Sequence, residues 1–196
     1  MRMLALGFVS ASLLAATPAF AAPTTWDIDS AHSAVTFTIK HLAVSTVRGE
    51  FGKVTGTVSL DGTDVKTAKV EATVDASTVN TREPKRDGHL KSPDFFDVAK
   101  YPTLTFKSTG VVAGAGGAFK INGDLTIHGV TKPVTFDAQA LSPETKTPFG
   151  TTIIATSATG KINRQDFGVT GGKASMMVSN DVNITLDLEL VKKVAK

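Results

Sequence analysis

The stretch V-N-I-T-L-D-L-E-L at 182–190 places an apolar side chain at every second position, with Asn, Thr, Asp and Glu between them. A strict two-residue period is the pattern of a β-strand that has one apolar face and one wet face. Antiparallel sheets commonly rest one face on the core and leave the other in solvent. The stretch therefore predicts a long strand in an antiparallel sheet.

Seven further segments repeat this alternation, some less regularly, and turn-forming residues separate most of them. The segments are 35–39, 54–60, 70–74, 104–112, 119–127, 134–140 and 153–160. Asp61-Gly62, His128-Gly129 and Gly171-Gly172 are pairs typical of turns. No apolar pattern is long enough for the helix of a βαβ unit. The chain is therefore predicted to be all-β, with eight antiparallel strands that form a closed barrel or a sandwich.

Residues 82–98 depart from the strand pattern; they read R-E-P-K-R-D-G-H-L-K-S-P-D-F-F-D-V and are dense in charge. Pro84 suits the first turn of a helix, and Gly88 and Pro93 keep such a helix short. The large apolar residues of this charged segment need a dry place to pack. We therefore predict a short helical insert around 82–98 that closes one end of a barrel. The side chains expected to turn inward are Leu90, Phe95 and Phe96.

The N-terminus has the parts of a secretory signal peptide. Met1-Arg2 gives a positive start, an apolar stretch follows, and Ala19-Phe20-Ala21 forms an A-x-A pattern ahead of Ala22. We predict a signal peptide over 1–21, cleaved between Ala21 and Ala22, and a single mature domain over 22–196. The apolar run is too short for a spanning helix. Because the chain has no cysteine, the exported domain must be stabilised by its own core.

Composition and motifs argue against several functions. The formal net charge is +3 and the basic residues are scattered without aromatic partners, so nucleic-acid binding is not supported. The chain has no cysteine nucleophile, no G-x-S-x-G elbow and no H-E-x-x-H pair. His32 and His41 fall on opposite faces of a strand pattern, and no two histidines have close metal-ligand spacing. We therefore predict no catalytic residues, no metal site and no cofactor.

Two features of the strands favour an interior with room for a ligand. The apolar faces include small residues, namely Gly56, Ala72, Gly123, Ala138 and Ala140. The strands are long, and ten residues span roughly 30 Å at the usual rise. An eight-stranded barrel can hold one small ligand, and a narrow apolar hole of that length suits an extended lipid chain. The alternative is ordinary alternation of large and small residues in a packed core.

Four blocks of the sequence carry a resemblance to a known family. They are W-D-I-D-S-A-H-S-A-V-T-F-T-I-K-H-L at 26–42, R-D-G-H-L-K-S-P-D-F-F-D-V-A-K-Y-P-T-L-T-F-K-S at 86–108, G-D-L-T-I-H-G-V-T-K-P-V at 123–134 and I-N-R-Q-D-F-G-V at 162–169. The chain thereby resembles the YceI-like family of periplasmic polyisoprenoid-binding proteins. The resemblance implies a lipocalin-like antiparallel barrel in the periplasm, with an elongated apolar pore that holds an amphiphilic lipid. It implies an isoprenoid-type ligand, such as a prenyl diphosphate or a quinone.

The candidate binding residues divide into an apolar lining and a polar head-group set. The lining expected from the inward register is Phe37, Ile39, Val58, Val74, Phe106, Gly123, Leu125, Phe136, Ile154 and Leu186. The head-group candidates are His41, Arg48, Arg86 and Arg164. Arginine suits a diphosphate because its planar fork donates hydrogen bonds in pairs. Alternatively, His41 bonds a backbone carbonyl, and Arg86 or Arg164 pairs with an aspartate and holds the insert to the barrel.

From these residues we expect the protein to bind or carry a lipid without catalysis and without stable insertion into a membrane. The alternatives are an envelope enzyme or accessory subunit that acts on an isoprenoid or quinone, and a structural barrel filled by its own side chains. The sequence identifies no protein partner and no oligomeric state.

Overall fold

The computed structural model describes residues 23–193, so the expected signal peptide and the Ala21–Ala22 cleavage point lie outside the described residues. Twelve strands and one α-helix make up the regular structure of this part. The strands are β1 (Thr24–Ile28), β2 (Ala34–His41), β3 (Ser45–Phe51), β4 (Val54–Asp61), β5 (Asp64–Asp75), β6 (Val79–Asn80), β7 (Thr103–Ala113), β8 (Phe119–Ile127), β9 (Val130–Ala138), β10 (Thr145–Lys146), β11 (Thr152–Asn163) and β12 (Asp181–Lys192). The helix α1 spans Pro84–Lys91, and short 3-10 helices include Arg164–Phe167 and Gly172–Met177.

The strands close into an antiparallel barrel with eight strand positions around the ring, which we call staves. In the described chain, three of these staves are each made of two strands placed end to end. β1 and β2 lie one after the other along β12, and β3 and β4 lie one after the other along β2 and β1. β5 and β6 form the third such stave, and β7, β8, β9, β11 and β12 are single strands. The pairing of β11 with β12 closes the ring. The predicted eight-stranded antiparallel barrel is therefore confirmed, and the sandwich alternative is excluded.

Residues 45–51 form strand β3, which is not among the eight segments that the alternation predicts. In β3 the inward positions are Val47, Gly49 and Phe51, and Arg48 projects to the exposed outer face. With a glycine in the middle of the inward row, only two apolar residues mark the period. The alternation was therefore too weak to recognise.

The insert contains the expected short helix. Pro84 occupies the first turn of α1, and the Glu83 side chain accepts a hydrogen bond from the Lys85 amide. Both features stabilise a helix start. The Ser92 amide bonds to the His89 carbonyl at the other end, one residue before Pro93. None of the helices within residues 23–193 is long and apolar enough to cross a bilayer.

One end of the barrel is closed by a tightly packed apolar cluster, which we call the base. It is formed by Trp26, Leu60, Ile154 and Leu190, and Trp26, Leu60 and Leu190 are each only 1% exposed. They come from β1, β4, β11 and β12, where these four strands meet. Their burial fixes the register of the strands that close the ring.

The other end, which we call the mouth, is covered by irregular structure. It comprises the β2–β3 turn at 42–44, the segment 76–102 that contains the insert, and the segment 164–180. Phe95 is buried beneath the insert, packed against Leu125 and Phe167. Leu90 and Phe96 also turn inward, as expected, but they are only half-buried because they face the space inside the barrel.

Candidate ligand-binding cavity

The barrel encloses a cavity of about 560 Å³ whose wall is almost entirely apolar. Pockets of about 300–1,000 Å³ are typical of small-molecule sites. The cavity runs from Leu60 and Leu190, which belong to the base, to Ser45 and Met177 at the mouth. Inward side chains of β2 and β12, such as Phe37 and Ile184, are only half-buried although they face the interior. The interior is therefore a lumen, not a core filled by side chains.

Close contacts between aromatic rings and glycines keep the rings flat against the wall. The ring of Phe106 on β7 lies across Gly123 on β8, and a Cβ added there would be 2.6 Å from the Lys107 carbonyl oxygen. Gly49 and Gly160 are covered in the same way by rings from the neighbouring strands. Each of these glycines makes room for a ring that would otherwise project into the lumen.

Eight of the ten expected apolar lining residues lie on the cavity wall. They are Phe37, Ile39, Val58, Val74, Phe106, Leu125, Phe136 and Leu186. The prediction was wrong for Gly123, because the Phe106 ring covers it. It was also wrong for Ile154, which packs in the base. Both residues do point inward, as the register predicted. The register alone, however, does not show how far along the barrel axis a residue lies or whether another side chain covers it.

The polar part of the lining is concentrated at the mouth. Seven of the ten polar lining residues in the described chain lie there, namely His41, Ser45, Thr81, Arg86, His89, Arg164 and Ser179. The other three are threonines on barrel strands, Thr36, Thr105 and Thr156. Four lining residues at this end, Ser45, Arg86, His89 and Met177, are exposed to solvent, so the lumen opens here. Within the described part of the chain, no aspartate or glutamate lines the cavity. Asp87 and Asp94 lie outside this lining and are bonded to Thr81 and His89. The groups that line the opening are therefore cationic or neutral.

Arg164 lies at the mouth with only 5% of its surface exposed. Its Nη1 donates to the carbonyls of Val169 and Thr170 at 2.7 and 2.6 Å, and its Nε donates to the Ser179 carbonyl at 3.1 Å. Nη2 donates to two further carbonyls of the segment 175–178 and to the Asn180 side chain. Burial lowers the pKa of the guanidinium from its ordinary value. Arg164 thus holds the segment 169–180 in place.

The expected pairing of Arg164 with an aspartate is wrong. Among residues 23–193 no carboxylate forms an ion pair with this guanidinium. Backbone carbonyls satisfy its donors but do not neutralise its charge. A buried positive charge is therefore left uncompensated at the end of the lumen.

Arg86 is bound to Thr81 and not to a carboxylate. Its Nε donates to the Thr81 hydroxyl at 2.7 Å and its Nη2 donates to the Thr81 carbonyl at 2.8 Å. The Thr81 hydroxyl and amide in turn donate to Asp87 Oδ1 at 2.5 and 2.8 Å. The expected direct Arg–Asp pair is therefore replaced by a bridge through a buried threonine. The guanidinium is oriented towards the lumen and stays exposed on its outer side.

The two remaining head-group candidates are placed differently. His41 ends β2 in the inward register and lines the cavity, and its backbone pairs with Val178. Arg48 lies on the outer face of β3 and does not line the cavity, so it was wrong as a head-group residue. The mouth thus brings together His41, Arg86 and Arg164 from three separate parts of the chain.

Sequence reasoning missed several residues of the lumen. Ile184 lies in the same register as Leu186 and follows from the period of β12. Phe51 and Val47 depended on recognising β3, whose alternation Gly49 interrupts. Thr81 carried no signal, since a buried hydroxyl in a loop has no pattern in one sequence.

One group of possible metal ligands lies outside the cavity. Asp29, His32 and Glu189 place ligand atoms within 4.8 Å of one another on the surface, beside the bend between β1 and β2. His32 Nδ1 lies 2.8 Å from Asp29 Oδ2, and this hydrogen bond raises the pKa of His32 and lowers that of Asp29. An exposed ion pair accounts for the arrangement.

The fold and the cavity define the class of protein: a closed antiparallel β-barrel with one apolar lumen that opens at a polar mouth. The chain belongs to the family of YceI-like domains, whose family model matches residues 26–190. It is 37% identical over 189 residues to Protein YceI of Salmonella newport, covering 96% of this chain and 97% of that protein.

Solved structures support the same assignment. The Campylobacter jejuni YCEI protein is 33% identical, with a TM-score of 0.69 over 79% of this chain and 90% of that one. A polyisoprenoid binding domain from Saccharophagus degradans has a TM-score of 0.65 over 86% of this chain and 98% of that one. At 17% identity, this second likeness concerns the fold.

Proposed function

We propose that this protein binds one long-chain isoprenoid-type lipid, with the tail in the lumen and the head group at the mouth. The observation that carries the proposal is the division of one cavity into an apolar lumen and a cationic opening. Tail and head of an amphiphile need two such environments in that order. The family relationship and the name of the S. degradans domain agree with a lipid ligand.

Burial of the tail supplies the affinity. Each methylene taken out of water contributes about 0.8 kcal/mol, so a chain of several isoprene units needs no polar contact to bind tightly. The lumen offers half-buried aliphatic and aromatic side chains along its length, among them Phe37, Ile39 and Leu186. Shape and apolarity are the requirements for a tail, and the wall meets both.

The mouth favours an anionic head group over a neutral one. Neither the Arg164 nor the Arg86 guanidinium forms an ion pair with a carboxylate among residues 23–193, and Arg86 is oriented by its two hydrogen bonds to Thr81. Charge-assisted hydrogen bonds from guanidinium to phosphate are stronger than bonds to a neutral acceptor. Of the two ligand types considered, a prenyl diphosphate therefore fits better than a quinone.

The role we propose is to sequester or carry this lipid in the periplasm, without catalysis. The location is supported by the signal-peptide pattern and the A-x-A sequence ahead of Ala22. The non-catalytic role is supported by the mouth chemistry. Arg86 and Arg164 are bound to Thr81 and to backbone carbonyls, and no aspartate or glutamate among residues 23–193 lines the cavity. The neighbouring carboxylates of Asp87 and Asp94 are already bonded to Thr81 and His89.

The test is titration of the delipidated protein with farnesyl diphosphate, the corresponding prenol and a quinone. Ile184→Trp places an indole in the lumen and should abolish stoichiometric binding of all three. Asn183→Trp is the matched control, because it places the same ring on the exposed outer face of the same strand. N-terminal sequencing of the exported protein should find Ala22 at its start.

The head-group assignment is tested separately with Arg86→Gln. Removing one charge-assisted hydrogen bond of about 1.5 kcal/mol should weaken diphosphate binding roughly tenfold and leave prenol binding unchanged. If none of the three ligands binds and mass spectrometry of an organic extract finds no lipid, the carrier function is refuted.

A further inference from the structure

Four large apolar side chains are exposed together at the mouth. Leu42 and Val44, in the β2–β3 turn, are 58% and 83% exposed, and Met176 and Met177, in the facing segment, are 96% and 43% exposed. The Leu42 amide donates to the Met177 carbonyl at 2.8 Å, so the two segments are joined. We call the segments 40–48 and 172–178 the mouth flaps. Exposed apolar clusters of this kind mark interaction sites.

The backbone of the first flap is held in an unusual conformation. Leu42 and Ala43 both have positive φ, at 50° and 59°. This left-handed region is unfavourable for residues other than glycine, asparagine and aspartate. Such strain is found at functional sites, where the surrounding structure maintains it. Here it occurs in a turn whose Leu42 and Val44 side chains lie in solvent.

The charge on the flaps has one sign. Lys40, Arg48 and Lys173 are exposed, and no aspartate or glutamate occurs in 40–49 or in 167–180. The insert beside them carries as many acidic residues as Lys and Arg between 82 and 98, so it does not offset this charge. Exposed apolar side chains flanked by cations are the composition that binds the interface of anionic bilayers.

We propose that the mouth flaps dock reversibly on anionic lipid bilayers, with Leu42, Val44 and Met176 in the interface and the cations at the head groups. The inference rests on the proposed function and gives it a physical route. A tail that passes from bilayer to lumen through a docked mouth never has to enter water. Continuity of the flaps with the opening is the reason to choose a lipid surface, since Ser45 and Met177 belong to both.

The experiment measures co-flotation of the delipidated mature protein with vesicles of phosphatidylcholine alone or with 30 mol% phosphatidylglycerol added, about a third anionic lipid. We expect binding to the anionic vesicles that weakens with added salt. Leu42→Ser combined with Met176→Ser should abolish it, and Lys173→Gln should weaken it about fivefold, the effect of one cation at such a surface. Phe149→Ser is the matched control. Phe149 is 94% exposed, but it lies in the β10–β11 turn, at the end of the barrel that holds the base.

A second readout separates docking from ligand binding. Farnesyl diphosphate titrated in solution should bind the double variant as tightly as the unaltered protein, whereas transfer of a fluorescent prenyl lipid from vesicles should slow at least severalfold. Absence of flotation with anionic vesicles would overturn the docking inference, whatever the titration gives. Equal loss in Phe149→Ser would overturn it too, and so would flaps buried in a stable homodimer in solution. Failure of farnesyl diphosphate to bind, with flotation intact, would refute the proposed ligand and leave docking standing.

Discussion

The base and the mouth of this barrel are stabilised by different kinds of interaction, although they are the two ends of the same sheet. At the base, Trp26, Leu60 and Leu190 are removed from water and packed on one another. At the mouth, one buried arginine holds an irregular segment through carbonyl hydrogen bonds, and apolar side chains stay in solvent. The base derives its stability from apolar burial, whereas the mouth depends on a polar network that leaves an opening.

This difference indicates that the base contributes most to stability, whereas the mouth is the part of the barrel suited to ligand entry. A closed apolar end anchors the ring where β11, β12 and β1 meet, so the other end can be built from loops without opening the barrel. Regions with few buried apolar contacts open locally at lower free energy than the core does. The mouth is therefore where exchange of a ligand is expected.

The largest expected effect tests the base. Trp26→Ala should lower the free energy of unfolding by about 3–5 kcal/mol, because the cavity it leaves cannot collapse between four strands. Trp26→Phe should cost less than half as much. Its ring fills part of the space, and the indole Nε1, which is buried without a partner among the described residues, is removed. Urea denaturation followed by circular dichroism measures both. Similar losses in the two variants would contradict the packing account.

The next effect tests the mouth. Arg164→Met leaves several buried carbonyls unpaired and should cost about 3 kcal/mol, since hydrogen bonds from charged donors contribute roughly 1.5–3 kcal/mol each and are not additive. Hydrogen exchange should accelerate in 169–180 and stay unchanged at Trp26 and Leu190. Arg164→Lys is the control that keeps the charge and loses the fork. Uniform acceleration over the whole barrel would show that the two ends are not independent.

Substitutions at two glycines test how tightly the aromatic rings pack on the barrel wall between the two ends. Gly123→Ala drives a Cβ into the Phe106 ring and the Lys107 carbonyl and should cost about 1–3 kcal/mol. Gly110→Ala, in the neighbouring strand, meets no atom within 4 Å and should change stability by less than about 0.5 kcal/mol. If Gly123→Ala is as well tolerated as Gly110→Ala, the ring does not lie where the structure places it.

The smallest effect concerns the exposed pair beside the β1–β2 bend. The hydrogen bond to Asp29 raises the pKa of His32 above 6.5, and the same bond lowers the pKa of Asp29 below 3.8. The His32 contribution to stability is therefore present below pH 6.5 and lost as the pH rises through its folded pKa. The Asp29 contribution is present above pH 3.8 and lost as the pH falls through its folded pKa.

Titration of the His32 ring by NMR checks this pair. Asp29→Asn should return the His32 pKa towards its ordinary value, and Glu189→Gln should have a smaller effect, since that carboxylate is 3.8 Å away. A His32 pKa that is unchanged in Asp29→Asn would disprove the pairing.

Several parts of the molecule could be predicted from the sequence. The two-residue period of β12 and β8 determined the antiparallel strands and the inward side of Leu186 and Leu125, because alternation of side chains is a local property of the backbone. Pro84 and the charge of the insert indicated α1 for the same reason. The four sequence blocks indicated the family, which the family model over 26–190 confirms.

Only the tertiary structure decided three things: how deep each inward side chain lies in the barrel, which side chains are covered by others, and which groups the arginines bind. Ile154 and Leu186 share an inward register, yet one lies in the base and the other on the lumen, because depth depends on how far each strand slides past its neighbour. Gly123 is covered by a ring from another strand, and Arg164 binds backbone carbonyls up to fifteen residues away instead of an aspartate. These are contacts between residues distant in sequence, and a single chain without its fold carries no local signal for them.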